Sequence, residues 1–130
     1  MSKFLEYIKL IPKAIPNADK IISGWLTDIR MEYGELPDDQ VKEIITRRAI
    51  CETCPLMNIN TLKDQTEYKK LYNEEYKTER ADKHCTICGC PVQKKTSSLL
   101  SKCGLDSYNQ ENPNNQQTLK WTTYNEKTTN

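Results

Sequence analysis

The chain has 130 residues, of which 36% are hydrophobic and 28% charged, and its formal net charge is +1. This length predicts one small domain with a modest apolar core, which often needs cross-links or a partner for stability. The near-neutral charge argues against a protein that coats nucleic acid, although it permits a local basic patch.

Charged residues interrupt the opening stretch MSKFLEYIKLIPKAIP, so it lacks the apolar run of a signal peptide. No later run is long enough to predict a membrane span. We therefore expect a protein that is not secreted and does not bind membranes. Its thiols should stay reduced, which favours metal binding over disulfides for paired CxxC motifs.

The first fifty residues predict a helical N-terminal part, residues 1–50. Residues 2–11 can form a short amphipathic helix. Residues 18–33 repeat apolar side chains, including Trp25, at intervals of three and four, with Asn17 as a potential N-cap and Gly34 as a stop.

A third helix is predicted to begin near Pro37 and to run directly into Cys51. Acidic residues fall in its first turn, and Arg47 and Arg48 fall in its last turn. This distribution of charge matches the helix dipole.

A cysteine module is predicted over residues 51–105, interrupted by a polar insert over residues 57–83. In the insert, LKDQTEYKKLYNEEYKTER predicts one helix that carries Tyr68, Tyr72 and Tyr76 on one face. This tyrosine stripe either packs on the rest of the fold or forms a contact surface for a partner.

The C-terminal residues 106–130 are predicted to form a polar tail, because Asn, Gln and Thr dominate them. Trp121 is an apolar exception in this tail. Two roles are open for it: it folds back on its own domain as an anchor, or it docks on a neighbouring chain.

The two motifs CETC and HCTICGC contain the residues with the clearest chemistry. Two residues between paired cysteines let the backbone turn around one ion, and two such pairs supply the four thiolates of a tetrahedral zinc site. Cys51, Cys54, Cys85 and Cys88 fit this scheme. Gly89 follows the second pair, where positive φ is often needed. We predict one zinc ion at these four residues.

Three further residues are candidate ligands: Cys90, Cys103 and His84. Cys90 could exchange with a neighbouring ligand, and all three could build a second site or share a bridging thiolate. Alternatively, the extra cysteines are buried free thiols and His84 is a bystander. Disulfides and an iron–sulfur cluster stay open as alternatives on cysteine count.

Catalysis at this cluster is not predicted. A catalytic zinc keeps an open position for water, whereas four sulfurs close the site. The deaminase pattern requires a His-x-Glu that ADKHCTICGC lacks. A thioredoxin-type CxxC begins a helix after a strand, whereas Cys51 follows a predicted helix. We therefore expect no enzyme activity and no small-molecule substrate.

The stretches RRAICETCP, CTICGCPVQKKTSS, SKC and LKW together resemble a group of short cysteine-rich, zinc-ribbon-like proteins encoded by large tailed bacteriophages and related elements. The resemblance covers roughly residues 45–121, apart from the insert. It departs from the group where Gly104 replaces a proline and an Asn/Gln-rich loop precedes LKW. The matching residues are Arg47, Arg48, Cys51, Cys54, Cys85, Cys88, Gly89, Cys90, Lys94 or Lys95, Cys103, Lys120 and Trp121.

This resemblance implies a metal and a viral source but no activity, so we expect the protein in the host cytoplasm or the virion. The expected fold is mainly α with a small zinc-ribbon-like cysteine-rich module and few short strands around CTICGCPVQ.

Two functions are compatible with these features. The first is a zinc-stabilised structural or adaptor protein, such as a minor virion component, with partner contacts at Trp25, Tyr68, Tyr72, Tyr76 and Trp121. The alternative is a zinc-ribbon protein that binds nucleic acid or a transcription complex, with contacts at Arg47, Arg48, Lys94, Lys95 and Lys102.

Overall fold

Six α-helices form the regular structure of this computed structural model, which describes residues 18–124. They are α1 (Ala18–Tyr33), α2 (Asp38–Thr53), α3 (Asn58–Lys63), α4 (Thr66–Tyr72), α5 (Val92–Ser97) and α6 (Leu105–Glu111). The prediction of a mainly helical protein is confirmed. The predicted helix over residues 2–11 and the predicted N-cap Asn17 lie outside the described residues. Among the described helices, none is long and apolar enough to cross a membrane.

The first apolar core lies between α1 and α2, which pack together as a helical hairpin. Ile22 and Ile29 of α1 and Ile44 and Ile45 of α2 are almost fully buried in it. Removing each of these side chains from water contributes about 1.5–3 kcal/mol. Gly34 ends α1 as predicted, with φ +69°, and its N–H donates to the Arg30 carbonyl.

The second core surrounds the cysteines. Leu56, Cys103, Leu105 and Trp121 are buried there, and residues at the end of α2 pack against them. One helix, α2, therefore supplies side chains to both cores and continues across the predicted domain boundary at residue 50.

The long helix predicted over residues 62–80 is wrong. The structure has α3 and α4 in this region, and residues 73–83 are not helical. Between α3 and α4, the Asp64 carboxylate accepts hydrogen bonds from the Thr66 N–H and hydroxyl groups. Asn73 ends α4 in the left-handed conformation, with φ 54°. Tyr76 thus lies beyond the helix that was predicted to carry it.

The short strands expected around CTICGCPVQ are replaced by two isolated antiparallel bridges in the described chain, Met57 with Cys85 and His84 with Pro91. The reason is local. The backbone turns tightly after Cys85, and α5 begins directly after Pro91.

Candidate metal centre

The thiols gather around one cavity of about 30 Å³, room for no more than a single ion or water. Side chains from α2, from the turn after His84 and from the C-terminal residues form its wall. The cysteines that line it are Cys51, Cys54, Cys85, Cys90 and Cys103, and Cys88 adjoins them beside Gly104. All six cysteines are free thiols.

The first pair lies where α2 ends. Cys51 is in the last turn of the helix, and Cys54 is its C-cap residue, whose N–H donates to the Cys51 carbonyl. The chain then turns back, and the Leu56 N–H lies 3.4 Å from the Cys54 sulfur. The Met57 N–H donates to the Cys54 carbonyl. The Leu56 donor favours negative charge on the Cys54 sulfur.

The second pair forms a tight turn. Its ends are joined by hydrogen bonds from the Gly89 N–H to the Cys85 carbonyl and from the Cys85 N–H to the Cys90 carbonyl. Gly89 has φ +74°, as its position after the pair predicts. The backbone N–H groups of Ile87 and Cys88 act to lower the pKa of the Cys85 thiol.

Gly104 holds the backbone directly against the second pair. A Cβ atom at this position would lie 2.5 Å from the Cys85 sulfur and 2.9 Å from the Cys88 sulfur. Cys103, its neighbour, is 7% exposed and packs with Cys51 and Cys54. The segment 103–104 therefore lies between the two cysteine pairs. The role of Gly104 was not predicted, and its only sequence signal is a glycine directly after the last cysteine.

Burial disfavours thiolates in this cavity. It raises the pKa of Cys51 to about 12, and the Trp121 side chain acts in the opposite direction. Burial also raises the pKa of Cys54, against the backbone donors and Lys120. The pKa of Cys85 is lowered, mainly because the Cys88 thiol donates a hydrogen bond to it. A bound cation would supply the positive charge that several thiolates in this space require.

Two lysines add to the positive potential at the cavity. Lys95 and Lys120 line it, and they favour the thiolates of Cys90 and Cys54 respectively. A zinc ion with four thiolates carries two net negative charges, and nearby ammonium groups offset them.

The donor set fits a thiophilic ion such as zinc, because soft sulfurs line the cavity and are accompanied by backbone donors. Gly104, which has no side chain, leaves space for two of these sulfurs. As the side chains stand, however, no group of three or more His, Cys, Asp or Glu residues within 18–124 is arranged to hold a metal ion. The sulfurs are neighbours that do not converge on one point, so metal binding requires rotation of cysteine side chains.

His84 is held by partners other than the thiols. It is 2% exposed; its Nε2 lies 2.7 Å from the Tyr76 hydroxyl, and its Nδ1 lies 2.8 Å from the Asp82 carbonyl. Both ring nitrogens are therefore occupied in joining residues 76–84 to one another, which matches the bystander alternative.

Arg47 is buried and links three segments of the chain. Its guanidinium donates to the carbonyls of Ser98, Leu99 and Thr122, and it also bonds Glu43 one turn earlier in α2. Its prediction as a nucleic-acid contact is therefore wrong, because the side chain has no access to solvent.

Arg48 is also buried, at 2% exposure, and the same correction applies. It donates to the Thr96 and Ser97 hydroxyl groups and to the Gln93 carbonyl, all in α5. The other predicted contacts have a different environment: Lys94 and Lys102 are exposed, and Lys95 is half-buried at the cavity.

Trp121 is an anchor on its own domain. It is 7% exposed, its carbonyl accepts from the Cys103 N–H, and the Arg47 guanidinium lies 4.6 Å from the centre of its ring. This burial overturns its prediction as a partner contact.

The remaining predicted partner contacts are partly buried. Trp25 packs against the first core. Tyr68 contacts the rings of Tyr72 and Tyr76, at centroid distances of 4.8 and 5.1 Å, and Tyr72 meets Tyr108 edge-on. The stripe therefore packs on itself and on α6.

Comparison of this chain with protein-family models, with curated proteins and with solved structures finds no significant match.

Proposed function

We propose that this protein is a zinc-stabilised structural or adaptor protein that works by binding other proteins. One zinc ion is held by Cys51, Cys54, Cys85 and Cys88. The observation that carries the proposal is that Cys51, Cys54 and Cys85 line one small cavity, with Cys88 next to it and Gly104 leaving room for the sulfurs of the second pair.

A structural role for the ion follows from the donors and their setting. Four thiolates leave no coordination position for water or substrate, which is the property that distinguishes structural from catalytic zinc. The cavity also lies behind the buried ring of Trp121. Zinc binding contributes on the order of 10 kcal/mol to small metal-dependent domains. That contribution would offset the small size of the two cores.

Exposed apolar side chains support the adaptor role. Met31 of α1 is 82% exposed, and Leu100, which follows α5, is 83% exposed. The resemblance to proteins of tailed bacteriophages makes a minor virion component our preferred setting. The alternative function in nucleic-acid binding now depends on Lys94, Lys95 and Lys102, because both arginines assigned to it are buried.

Native mass spectrometry of the full reduced chain tests the zinc proposal and reports the oligomeric state in the same measurement. We expect one zinc ion per chain, removed by a chelator, with loss of folded structure on removal. The Cys51→Ser variant should lose the ion. A reduced chain that stays folded and takes up no zinc at micromolar concentrations would refute the proposal.

The adaptor role is tested separately on purified phage particles from infected cells. We expect the chain to be present in particles in a small, fixed copy number. Absence from particles, together with monomeric behaviour in solution, would contradict that role and leave the zinc centre unaffected.

A further inference from the structure

Two thiols are left over once four sulfurs have completed a tetrahedral zinc site. They are Cys90 and Cys103, and the structure gives them different positions. The following inference concerns the same site and rests on the proposed zinc centre.

Cys103 lies between the two cysteine pairs. It is buried in the second core, against which Cys51 and Cys54 pack, and the next residue, Gly104, lies against the Cys85 sulfur. Its backbone is fixed on both sides, because its N–H donates to the Trp121 carbonyl and its own carbonyl accepts from the Asp106 N–H. Cys103 is therefore held in the cavity wall by its backbone, close to both cysteine pairs.

Cys88 is the outermost member of the proposed ligand set. Cys51, Cys54 and Cys85 line the cavity, whereas Cys88 is not part of its wall and Cys103 is. Gly104, the residue next to Cys103, lies against the sulfurs of both Cys85 and Cys88. Of the four proposed ligands, Cys88 is therefore the one whose place Cys103 can take from the cavity wall.

Cys90 lies in the turn that follows Cys88, and its sulfur lies 3.9 Å from the Cys88 carbonyl. Although Cys90 also lines the cavity, it is not among the residues that pack on the second core with Cys103, as Cys51 and Cys54 are.

We propose that Cys103 is an exchangeable fifth ligand that takes the position of Cys88 on the zinc ion. In the exchange the bond between zinc and the Cys88 sulfur breaks, and a bond between zinc and the Cys103 sulfur forms. The Cys103 thiol releases its proton to solvent, and the freed Cys88 thiolate takes one up. Zinc has no ligand-field preference that resists such a swap, so the site remains a closed four-sulfur centre.

The test uses full-length variants loaded with Co²⁺, whose sulfur-to-cobalt absorption grows with the number of cobalt–sulfur bonds, together with zinc affinity from chelator competition. The variants are Cys88→Ser, Cys103→Ser and the double variant. Cys90→Ser, alone and combined with Cys88→Ser, is the matched control. Circular dichroism of the zinc-loaded variants checks that each remains helical.

We expect both single variants and both control variants to keep the absorption of four cobalt–sulfur bonds. The Cys88→Ser/Cys103→Ser variant should lose one bond. Its zinc affinity should fall by about tenfold to hundredfold more than the single losses predict, the range of coupling between residues in contact.

Three results would overturn the exchange. Cys88→Ser alone could lose a cobalt–sulfur bond, the double variant could keep four, or Cys88→Ser/Cys90→Ser could be the variant that loses one. In each of these cases a wild-type chain with four bonds leaves the zinc centre standing. A wild-type chain that binds neither ion refutes the zinc centre and the exchange together.

Discussion

Gly104 has a hydrogen atom where other residues have a side chain, and this leaves room for two sulfurs. A methyl group there would lie 2.5 Å from the Cys85 sulfur, closer than real Cβ contacts occur. Cysteine side chains are short, so the strain cannot be relieved at the far end of a flexible chain. One or both thiols, or the backbone of residues 103–104, must move.

Gly104→Ala should therefore lower the stability of the zinc-loaded protein by about 1–3 kcal/mol, the usual cost of overpacking, and weaken zinc binding. The control is Gly24→Ala in α1, where an added Cβ meets nothing within 4 Å. Because alanine favours helix, the control should be up to about 1 kcal/mol more stable. Thermal unfolding with zinc, and chelator competition, measure both effects. If the two variants have the same thermal stability and the same zinc affinity, the space at Gly104 is not needed for the cysteine sulfurs.

Residue spacing predicted that the members of each CxxC pair lie close together, because two residues between cysteines limit how far apart their sulfurs can lie. It did not predict that Cys103 would line the cavity while Cys88 lies beside it. It did not predict the burial of Arg47 and Arg48. Arginines in the last turn of a helix usually point to solvent, and here the helix continues to Thr53. Their acceptors, carbonyls of Ser98 and Thr122 among them, lie far along the chain and leave no local pattern.

Among the helices, α4 shows how one residue can end a strong periodic pattern. Its C-cap Asn73 is left-handed, with φ 54° and ψ 33°, and its N–H donates to the Lys69 carbonyl. Gln65 then bonds both the N–H and the carbonyl of Tyr76, which holds the chain after α4 in a fixed turn.

Asn73→Val should destabilise the protein by about 1–2 kcal/mol, since a side chain branched at Cβ is strained in this conformation. Asn73→Gly should change the stability little, because glycine adopts positive φ without strain. Urea unfolding measures both variants. If the valine variant is as stable as the wild type, α4 must instead continue through residue 73, as the sequence predicted.

The regular tyrosine spacing that predicted a longer helix reflects contacts among the tyrosine rings and not a continuous helix. Tyr68, Tyr72 and Tyr76 do meet, but the contact with Tyr76 is made across a turn. Regular spacing therefore indicated which side chains pack together without fixing the backbone between them. The C-terminal end of α1 was predicted well, because the glycine after it is a local signal.

Across the whole molecule, α2 and Arg47 connect the two cores. The Arg47 side chain leaves α2, bonds the loop after α5 and the C-terminal segment, and lies over Trp121. Hydrogen bonds from a charged donor contribute about 1.5–3 kcal/mol each. Removal of the Arg47 guanidinium would therefore weaken the attachment of the C-terminal segment to α2.

Arg47→Lys should destabilise the protein by about 3 kcal/mol, since lysine keeps the charge but cannot reproduce the planar set of donors. The control Arg30→Lys, on the exposed surface of α1, should stay within about 0.5 kcal/mol of the wild type. Urea unfolding followed by circular dichroism and tryptophan fluorescence measures both. A loss of less than about 1 kcal/mol in Arg47→Lys would contradict the linking role.

The whole-molecule arrangement was only partly predictable. Composition and periodicity predicted a mainly helical chain, but the residues after 105 read as a polar tail because so few of their side chains are apolar. In the structure α6 forms there, and Trp121 and Leu119 return to the second core. A burial that depends on one tryptophan and on backbone hydrogen bonds leaves too weak a pattern to predict.

The place of Trp121 in the wall of the thiol cavity has a consequence for biosynthesis. All six cysteines precede it in the chain, so each thiol leaves the ribosome before the ring that covers them. Until residue 121 has emerged and packed, the cavity lacks the part of its wall that this ring supplies. The C-terminal segment thus sets the moment at which the enclosure of the thiols is complete.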